Sequence, residues 1–253
     1  MANGIAASDA VRRAMLVSVI TPTLDEAANV RLRAAELACE AGPWEWIVVD
    51  AHSGDGTAAV AAGLGARIVH ANANRGGQLH AGAAVACGEA LLFLHADTEL
   101  PAGALAAVRT ALCDAHVVGG NFRLRFDGAA AAGRWFARIY AFDQRVLRIY
   151  FGDSAIFVRR AVYARIGGFR PHAVMEDYVF VRALEAAGRT VRLPLAVVTS
   201  SRRFRGRPLR AATIWLAMTA LYHCGIAPER LAQLYRGKGG AASRHGSREV
   251  QKG

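Results

Sequence analysis

Absences set the outer limits on this 253-residue chain. Its four cysteines, Cys39, Cys87, Cys113 and Cys224, show no CxxC spacing and no dense framework, which excludes a disulfide scaffold or a zinc ribbon. They read as buried thiols in a reducing compartment. The opening MANGIAASDAVRRAM carries no apolar core ahead of a cleavage site, so a cytoplasmic protein is expected. The apolar stretch 211–222 (AATIWLAMTALY) is interrupted by His223, Gly225 and Pro228, short of the ~20 residues a membrane span needs. It reads as a buried helix. A helix lying on the inner face of a membrane stays open, because Arg202, Arg203, Arg205, Arg207 and Arg210 precede it. No internal repeat is visible.

Hydrophobic residues make up 53% of the chain and charged residues 20%, which excludes disorder and describes one globular domain with a sizeable core. The net charge of +11 is unevenly spread. Residues 1–120 hold 7 basic and 12 acidic side chains, whereas residues 121–253 hold 24 and 8. The second half therefore seeks anions. Its arginines are scattered among apolar residues and form no recognised nucleic-acid module, so phosphorylated small molecules or membrane phosphates fit at least as well.

Short β-branched runs alternate with alanine-rich stretches: strands at 16–23, 46–51, 66–71 and 90–97, helices near 26–41, 56–64, 78–87 and 102–113. That order predicts an α/β fold with a mixed, mostly parallel central sheet and helices on both faces. Ligands then sit beyond the carboxyl ends of the strands. Asp25 and Glu26, Asp50 and Asp97 fall at three such ends. Further on, 117–126, 154–160 and 190–199 read as strands and 135–150 as an amphipathic helix. The helix over 175–189 carries Val179, Ala183 and Leu184 on one face and Glu176 and Asp177 in its first turn. The chain divides into a flexible N-terminus (1–14), a main α/β domain (15–200), a basic loop with C-terminal helices packed on the domain or a membrane surface (201–236), and a disordered tail (237–253).

Five segments carry a resemblance: SVITPTLDEAANV, VVDAHSGDGT, RGGQLHAGAAVACGEALLFLHADTELP, GDSAIFVRR, and GGFRP with MEDYVFVRALEAAGR. In this order they resemble the inverting family-2 nucleotide-sugar glycosyltransferases of the GT-A (Rossmann-like) fold. HADT, the GD-x-AIF segment, MED and the closing ALYHCGIAPERLAQLYRG resemble the small single-domain branch that is radical-SAM/selenodomain-associated, or arsenosugar-biosynthetic. The likeness spans about residues 15–236.

The resemblance implies sites that suit the residues present. It puts a nucleoside in a pocket of Thr21, Pro22, Leu24, Glu26 and Asp50, with Asp50 accepting from the base, and makes Gly54-Asp55-Gly56 the turn opening the next helix. His95-Ala96-Asp97 takes the place of the metal-binding D-x-D. Carboxylate oxygen suits a divalent cation that bridges diphosphate oxygens, and imidazole suits Mn²⁺ better than Mg²⁺. Asp97 is the expected ligand; His95 is either a second ligand or a partner of the nucleotide. Asp177 matches the family's base, which takes a proton from the acceptor hydroxyl in a single displacement with inversion. Glu176 beside it orients the loop or the acceptor.

Arg203 and Arg205 fall in a basic loop expected to close over the diphosphate. Arg75 and Gly76 are expected to form a phosphate- or ribose-facing turn ahead of the helix at 78. Gly152 and Asp153 would approach the acceptor, with Ser154 standing where relatives often have Gln. Trp135, Phe136, Tyr140 and Phe142 form an aromatic face that is either core or acceptor groove. The resemblance implies a UDP-sugar donor most often and leaves the acceptor open. A sugar-phosphate nucleotidyltransferase is disfavoured, since TPTLDEAAN lacks a glycine-rich loop with Arg and Lys. The alternative reading is a non-enzymatic anion-binding module for nucleic acid or acidic lipid, which would leave the strand-end carboxylates unexplained.

Overall fold

The computed structural model describes residues 15–127, 152–170, 175–199 and, nearer the C-terminus, 213, 217–218, 221–222, 224–226 and 230–231. Strand β1 (Val17–Thr23) is followed by α1 (Ala27–Ala38), β2 (Trp44–Asp50), α2 (Thr57–Gly63), β3 (Arg67–His70) and α3 (Arg75–Val85). Then come β4 (Ala90–Phe93), β5 (Thr98–Glu99), α4 (Ala104–Leu112) and β6 (Val117–Phe126). A short 3-10 turn at Gly152–Ser154 leads into β7 (Ile156–Arg159), α5 (Arg160–Arg165), α6 (Glu176–Ala187) and β8 (Arg189–Thr199). The strands form one sheet in the order β3-β2-β1-β4-β7-β6-β8-β5. Strands β1 to β4 are mutually parallel, β6 is parallel to β8, and β7 runs against both β4 and β6.

Both faces of the sheet are covered, which explains the near-continuous apolar runs of its central strands. Val17, Val19, Trp46, Val48 and Leu92 face one core with Val30 and Leu37 of α1 and Leu105 and Val108 of α4. Ile20, Ile47, Val49, Leu91 and Phe93 face the other, with Leu79 and Ala83 of α3 and Phe180, Val181 and Leu184 of α6. Phe93, Phe169 and Phe180 interlock there; the Phe169 and Phe180 rings stack at 4.2 Å. In β6, Gly120 is required by crowding, since a Cβ would lie 1.8 Å from the Val191 carbonyl oxygen.

Topology assembles the functional rim. Antiparallel pairing of Phe93 with Ile156 sets the residues just before β7 beside those just after β4. Helix α6 must start at the same rim, because β8, which it feeds, runs parallel to β6 and begins at the opposite one.

Several expectations need correcting. Cys39, Cys87 and Cys224 are exposed and Cys113 is half-buried, all as free thiols. Helix α3 begins at Arg75, three residues earlier than expected, because the Asn74 side chain caps it by accepting from the Gly77 amide at 3.0 Å. Arg75 and Gly76 therefore belong to its first turn and do not form a separate one. Strand β4 ends at Phe93, so His95 to Asp97 form a turn beyond it. The core face of α6 is Asp177, Phe180, Val181 and Leu184, whereas Val179 and Ala183 lie only partly covered. Among the described residues no helix is long and apolar enough to cross a membrane.

Candidate active site

At the ends of β1 and β2 two loops are stitched together. The Asp25 amide donates to Ser53 Oγ and the Gly54 amide to Asp25 Oδ1. The Ala27 amide donates to Asp55 Oδ2, and the Glu26 amide to Thr57 Oγ1. Asp55 is thereby a turn-forming residue, with hydrogen bonds from Thr57 foremost in keeping its carboxyl ionised below the ordinary range. Asp25 and His52 hold left-handed backbone conformations (φ 56° and 60°) that non-glycine residues adopt rarely, and strain of this kind clusters at functional loops.

Asp50 ends β2 with its side chain almost wholly covered. Its carboxylate accepts from Thr23 Oγ1 at 3.0 Å, from the Ser53 amide at 2.9 Å and from Ser53 Oγ at 2.5 Å, with His70 Nδ1 3.9 Å away. Burial alone would raise its pKa, but these hydrogen bonds outweigh it and hold the group below the usual carboxylate range. Thr21 has no exposed surface, and its hydroxyl accepts from Trp46 Nε1. Pro22 and Glu26 are half-buried, and Leu24 is 50% exposed at the rim. The structure thus brings Pro22, Leu24, Glu26 and Asp50 to one strand-end region and keeps Thr21 in the core. Sequence reasoning missed Gln78, whose buried Nε2 donates to the carbonyls of both Thr23 and Val49 and ties α3 under the two strand ends.

Beyond β4, the Thr98 amide donates to the His95 carbonyl and closes the His95–Asp97 turn. His95 is buried, and its Nδ1 lies 3.0 Å from Asp153 Oδ1. Asp97 stays partly exposed. Arg33, a fully buried residue also missed, donates from Nη1 to the Ala96 carbonyl and pairs with Glu36 at 2.6 Å. Glu36 in turn accepts from the Leu100 amide, so α1 grips the turn at both ends. An arginine is ordinarily a solvent-facing residue of a helix, so the sequence gives no cue to such burial.

Asp177 opens α6 with its carboxylate buried. Oδ2 accepts from the Gly152 amide at 2.9 Å and Oδ1 from the Tyr178 amide at 2.8 Å. Its pKa is raised to about 6: burial is the main cause, followed by the Glu176 and Asp153 charges, while the Gly152 amide and Arg75 oppose it. Glu176 Oε1 lies 3.9 Å from Arg75 Nε. Gly152 stands at the junction, where an added Cβ would come within 3.1 Å of His95 Nε2 and 3.5 Å of Asp177 Oδ2. His95, Gly152, Asp153, Glu176, Asp177 and Arg75 are thus gathered by four separate segments of chain. Arg203, Arg205 and the aromatic face Trp135, Phe136, Tyr140 and Phe142 lie outside the described residues.

The described residues contain no group of three ligating side chains that would hold a metal unaided. They do fit a cation shared with a phosphorylated ligand. Asp97 offers hard carboxylate oxygen, and the Asp153 contact at Nδ1 fixes the His95 ring as carboxylates fix metal-binding imidazoles.

Residues 18–165 match the protein family described as Glycosyl transferase family 2. No curated protein sequence matches the chain. Solved structures share the fold. A mannosyltransferase from Pyrobaculum calidifontis, in complex with GDP-Man and Mn²⁺, is 23% identical with a TM-score of 0.58 over 81% of this chain. This chain spans 61% of that one. Mannosyl-3-phosphoglycerate synthase from Rubrobacter xylanophilus is 17% identical (TM-score 0.57, covering 94% of this chain and 79% of its own). Glucosyl-3-phosphoglycerate synthase from Mycobacterium tuberculosis, in complex with Mn²⁺, UDP and glucosyl-3-phosphoglycerate, is 21% identical (TM-score 0.59, 88% and 85%).

Proposed function

This chain belongs to glycosyl transferase family 2, and from that premise we propose that it moves a sugar from a nucleoside-diphosphate donor to an acceptor hydroxyl by one inverting displacement, with Asp177 as the base. One observation carries the reading. A buried carboxylate with a pKa of about 6 is held by the Gly152 amide at the rim where the parallel strands end. A base of that strength is ionised at neutral pH yet still accepts a proton readily as the acceptor oxygen attacks. Gly152 and Tyr178 fix the carboxylate's direction, so no reorganisation is needed when the proton moves.

The loops around Asp50 supply the nucleoside side of the proposal, through Pro22, Leu24 and Glu26. Asp50 has most of its acceptor capacity committed to Thr23 and Ser53, so its first task is to hold the loop against which a base would rest. Asp97 and His95 are the residues that would hold a divalent cation, which when bound neutralises charge on the departing diphosphate. Neighbours of this fold bind GDP-Man or UDP with Mn²⁺, which supports a donor of this class. Arg203 and Arg205 remain the proposed diphosphate contacts from the basic half. A cytoplasmic location, with a peripheral contact to the inner face of a membrane, completes the proposal. Family membership displaces the alternative of a non-enzymatic anion-binding module.

Calorimetric titration with UDP and with GDP, with and without Mn²⁺, tests the donor site in the wild type and in Asp97→Ala. Metal-dependent binding that is lost in the variant is expected. Absence of binding to either nucleotide under any divalent metal would overturn the donor reading.

A further inference from the structure

Two apolar cores pack on the two faces of the sheet, and neither includes Met175 or Tyr178, the residues on either side of the Glu176-Asp177 pair. These two belong to a third cluster with Met218 and Leu231, against which Leu221, Tyr222 and Ile226 pack. The turn that carries the proposed base is therefore packed by residues from the C-terminal part of the chain.

Local geometry shows why that support matters. Met175 is a buried non-glycine residue in the left-handed conformation, φ 61°, and its carbonyl accepts the first helical bond from the Val179 amide. Such a conformation persists only where surrounding packing over-determines it. Tyr178 is fully buried and meets Tyr222 edge to face, with ring centroids 5.2 Å apart and planes at 80°. The amide of Tyr178 is also one of the two donors that orient Asp177. Displacing the Tyr178 ring would turn that amide, and the carboxylate with it, away from Gly152.

We propose that Tyr222 is a positioning residue: packed on Tyr178, it holds the Met175–Tyr178 turn so that the Asp177 carboxylate keeps its place against the Gly152 amide. The inference rests on the reading of Asp177 as the base. It goes beyond that reading by making the C-terminal part of the chain a structural component of the site.

The test uses the full-length protein with Tyr222→Leu, which keeps apolar bulk but removes the ring, and Tyr222→Phe, which keeps the ring. Two quantities are measured. One is the titration midpoint of Asp177 by NMR of carboxyl-labelled protein, assigned with Asp177→Asn. The other is Mn²⁺-dependent hydrolysis of UDP-glucose and GDP-mannose. The charged and titratable neighbours Glu176, Asp153, Arg75 and His95 stay unchanged in both variants. Tyr222→Leu is expected to bring the midpoint down by on the order of one unit as water reaches the carboxylate. It is also expected to lower kcat by ~10- to 100-fold with KM for the donor nearly unchanged. Tyr222→Phe should restore both. If Tyr222→Leu leaves the midpoint and kcat at wild-type values, the inference is overturned. If instead Asp177→Asn keeps wild-type turnover while Tyr222→Leu moves the midpoint, the base assignment fails and the packing relationship stands.

Discussion

The backbone amide of Gly152 donates to Oδ2 of Asp177 at 2.9 Å, joining the turn before β7 to the first turn of α6. Through its neighbour Asp153 the same turn also meets His95, 3.0 Å away. Three residues of 3-10 helix thus connect the end of β4, where a cation would sit, to the carboxylate proposed as base.

That carboxylate predicts a pH dependence. Turnover should rise with pH through about 6 and then level off, since only ionised Asp177 accepts the acceptor's proton. The rate limb of the wild type checks this, and Asp177→Asn should lower kcat by ~10²-fold or more while UDP binding persists.

Stability should respond in the opposite sense. The Asp177 pKa is raised from 3.8 to about 6, so between these values the folded protein binds more protons than the unfolded chain. Its contribution to stability is therefore fully present below about pH 4 and is lost as pH rises through 6. Urea unfolding at pH 4.5 and 7 should show Asp177→Asn gaining on the wild type at the higher pH, by on the order of 2 kcal/mol. A difference that does not change between the two pH values would refute the burial argument.

Gly152→Ala puts a methyl group 3.1 Å from His95 Nε2, so that the His95 ring must give by a few tenths of an ångström, and in ordinary contact with Asp177 Oδ2 at 3.5 Å. We expect kcat to fall ~10-fold or more, because misplacement on this scale at reacting groups is costly, with a melting temperature near that of the wild type. Steady-state kinetics alongside thermal unfolding separate the two effects.

Gly76→Ala is predicted to act on stability as well. Its Cβ would lie 2.3 Å from the Arg170 carbonyl oxygen, a backbone atom that cannot swing aside, and 3.2 Å from Glu176 Cβ. Overpacking of this kind costs about 1–3 kcal/mol and would push α3 away from Glu176. Chemical denaturation gives the magnitude, and a weakened Arg75–Glu176 pair should appear as reduced turnover.

Arg33→Met removes the guanidinium that holds the Ala96 carbonyl and leaves Glu36 without its cationic partner, with the Leu100 amide still donating to it. The expected loss is about 2–3 kcal/mol. Because the His95–Asp97 turn loses its anchor, the affinity for Mn²⁺ with UDP should also weaken. Unchanged metal-dependent binding would show that the Leu100 contact of Glu36 suffices to hold the turn.

Much of the candidate site was legible because the residues proposed for it follow local patterns in the sequence. Carboxylates immediately after apolar β-branched runs, such as Asp50 and the Asp25–Glu26 pair, mark strand ends whatever the rest of the chain does. Asp177 in the first turn of an amphipathic helix was visible for the same reason. Gln78, Arg33 and Tyr222 were not, because each acts on a partner more than forty residues away, or, for Gln78, on two strands at once. The capping role of Asn74 was missed within a run of small polar residues, which displaced the start of α3 and with it the place of Arg75 and Gly76.

The sequence alone determined the alternation of strands and helices, the doubly covered sheet and the identity of the acidic groups at its rim, since periodicity and strand-end chemistry are properties of short segments. Tertiary structure decided which of those groups meet. Antiparallel insertion of β7 between β4 and β6 delivers Gly152 and Asp153 to His95 and Asp177, and no local pattern encodes that strand order. It also set how readily they bind a proton: the Asp177 pKa is raised by burial and by Glu176, and that of Asp50 is lowered by Ser53 and Thr23 against the effect of burial. The same side chain, placed at a strand end and in a helix's first turn on one rim, is tuned in opposite directions by the burial, hydrogen bonds and neighbouring charge that folding leaves around it.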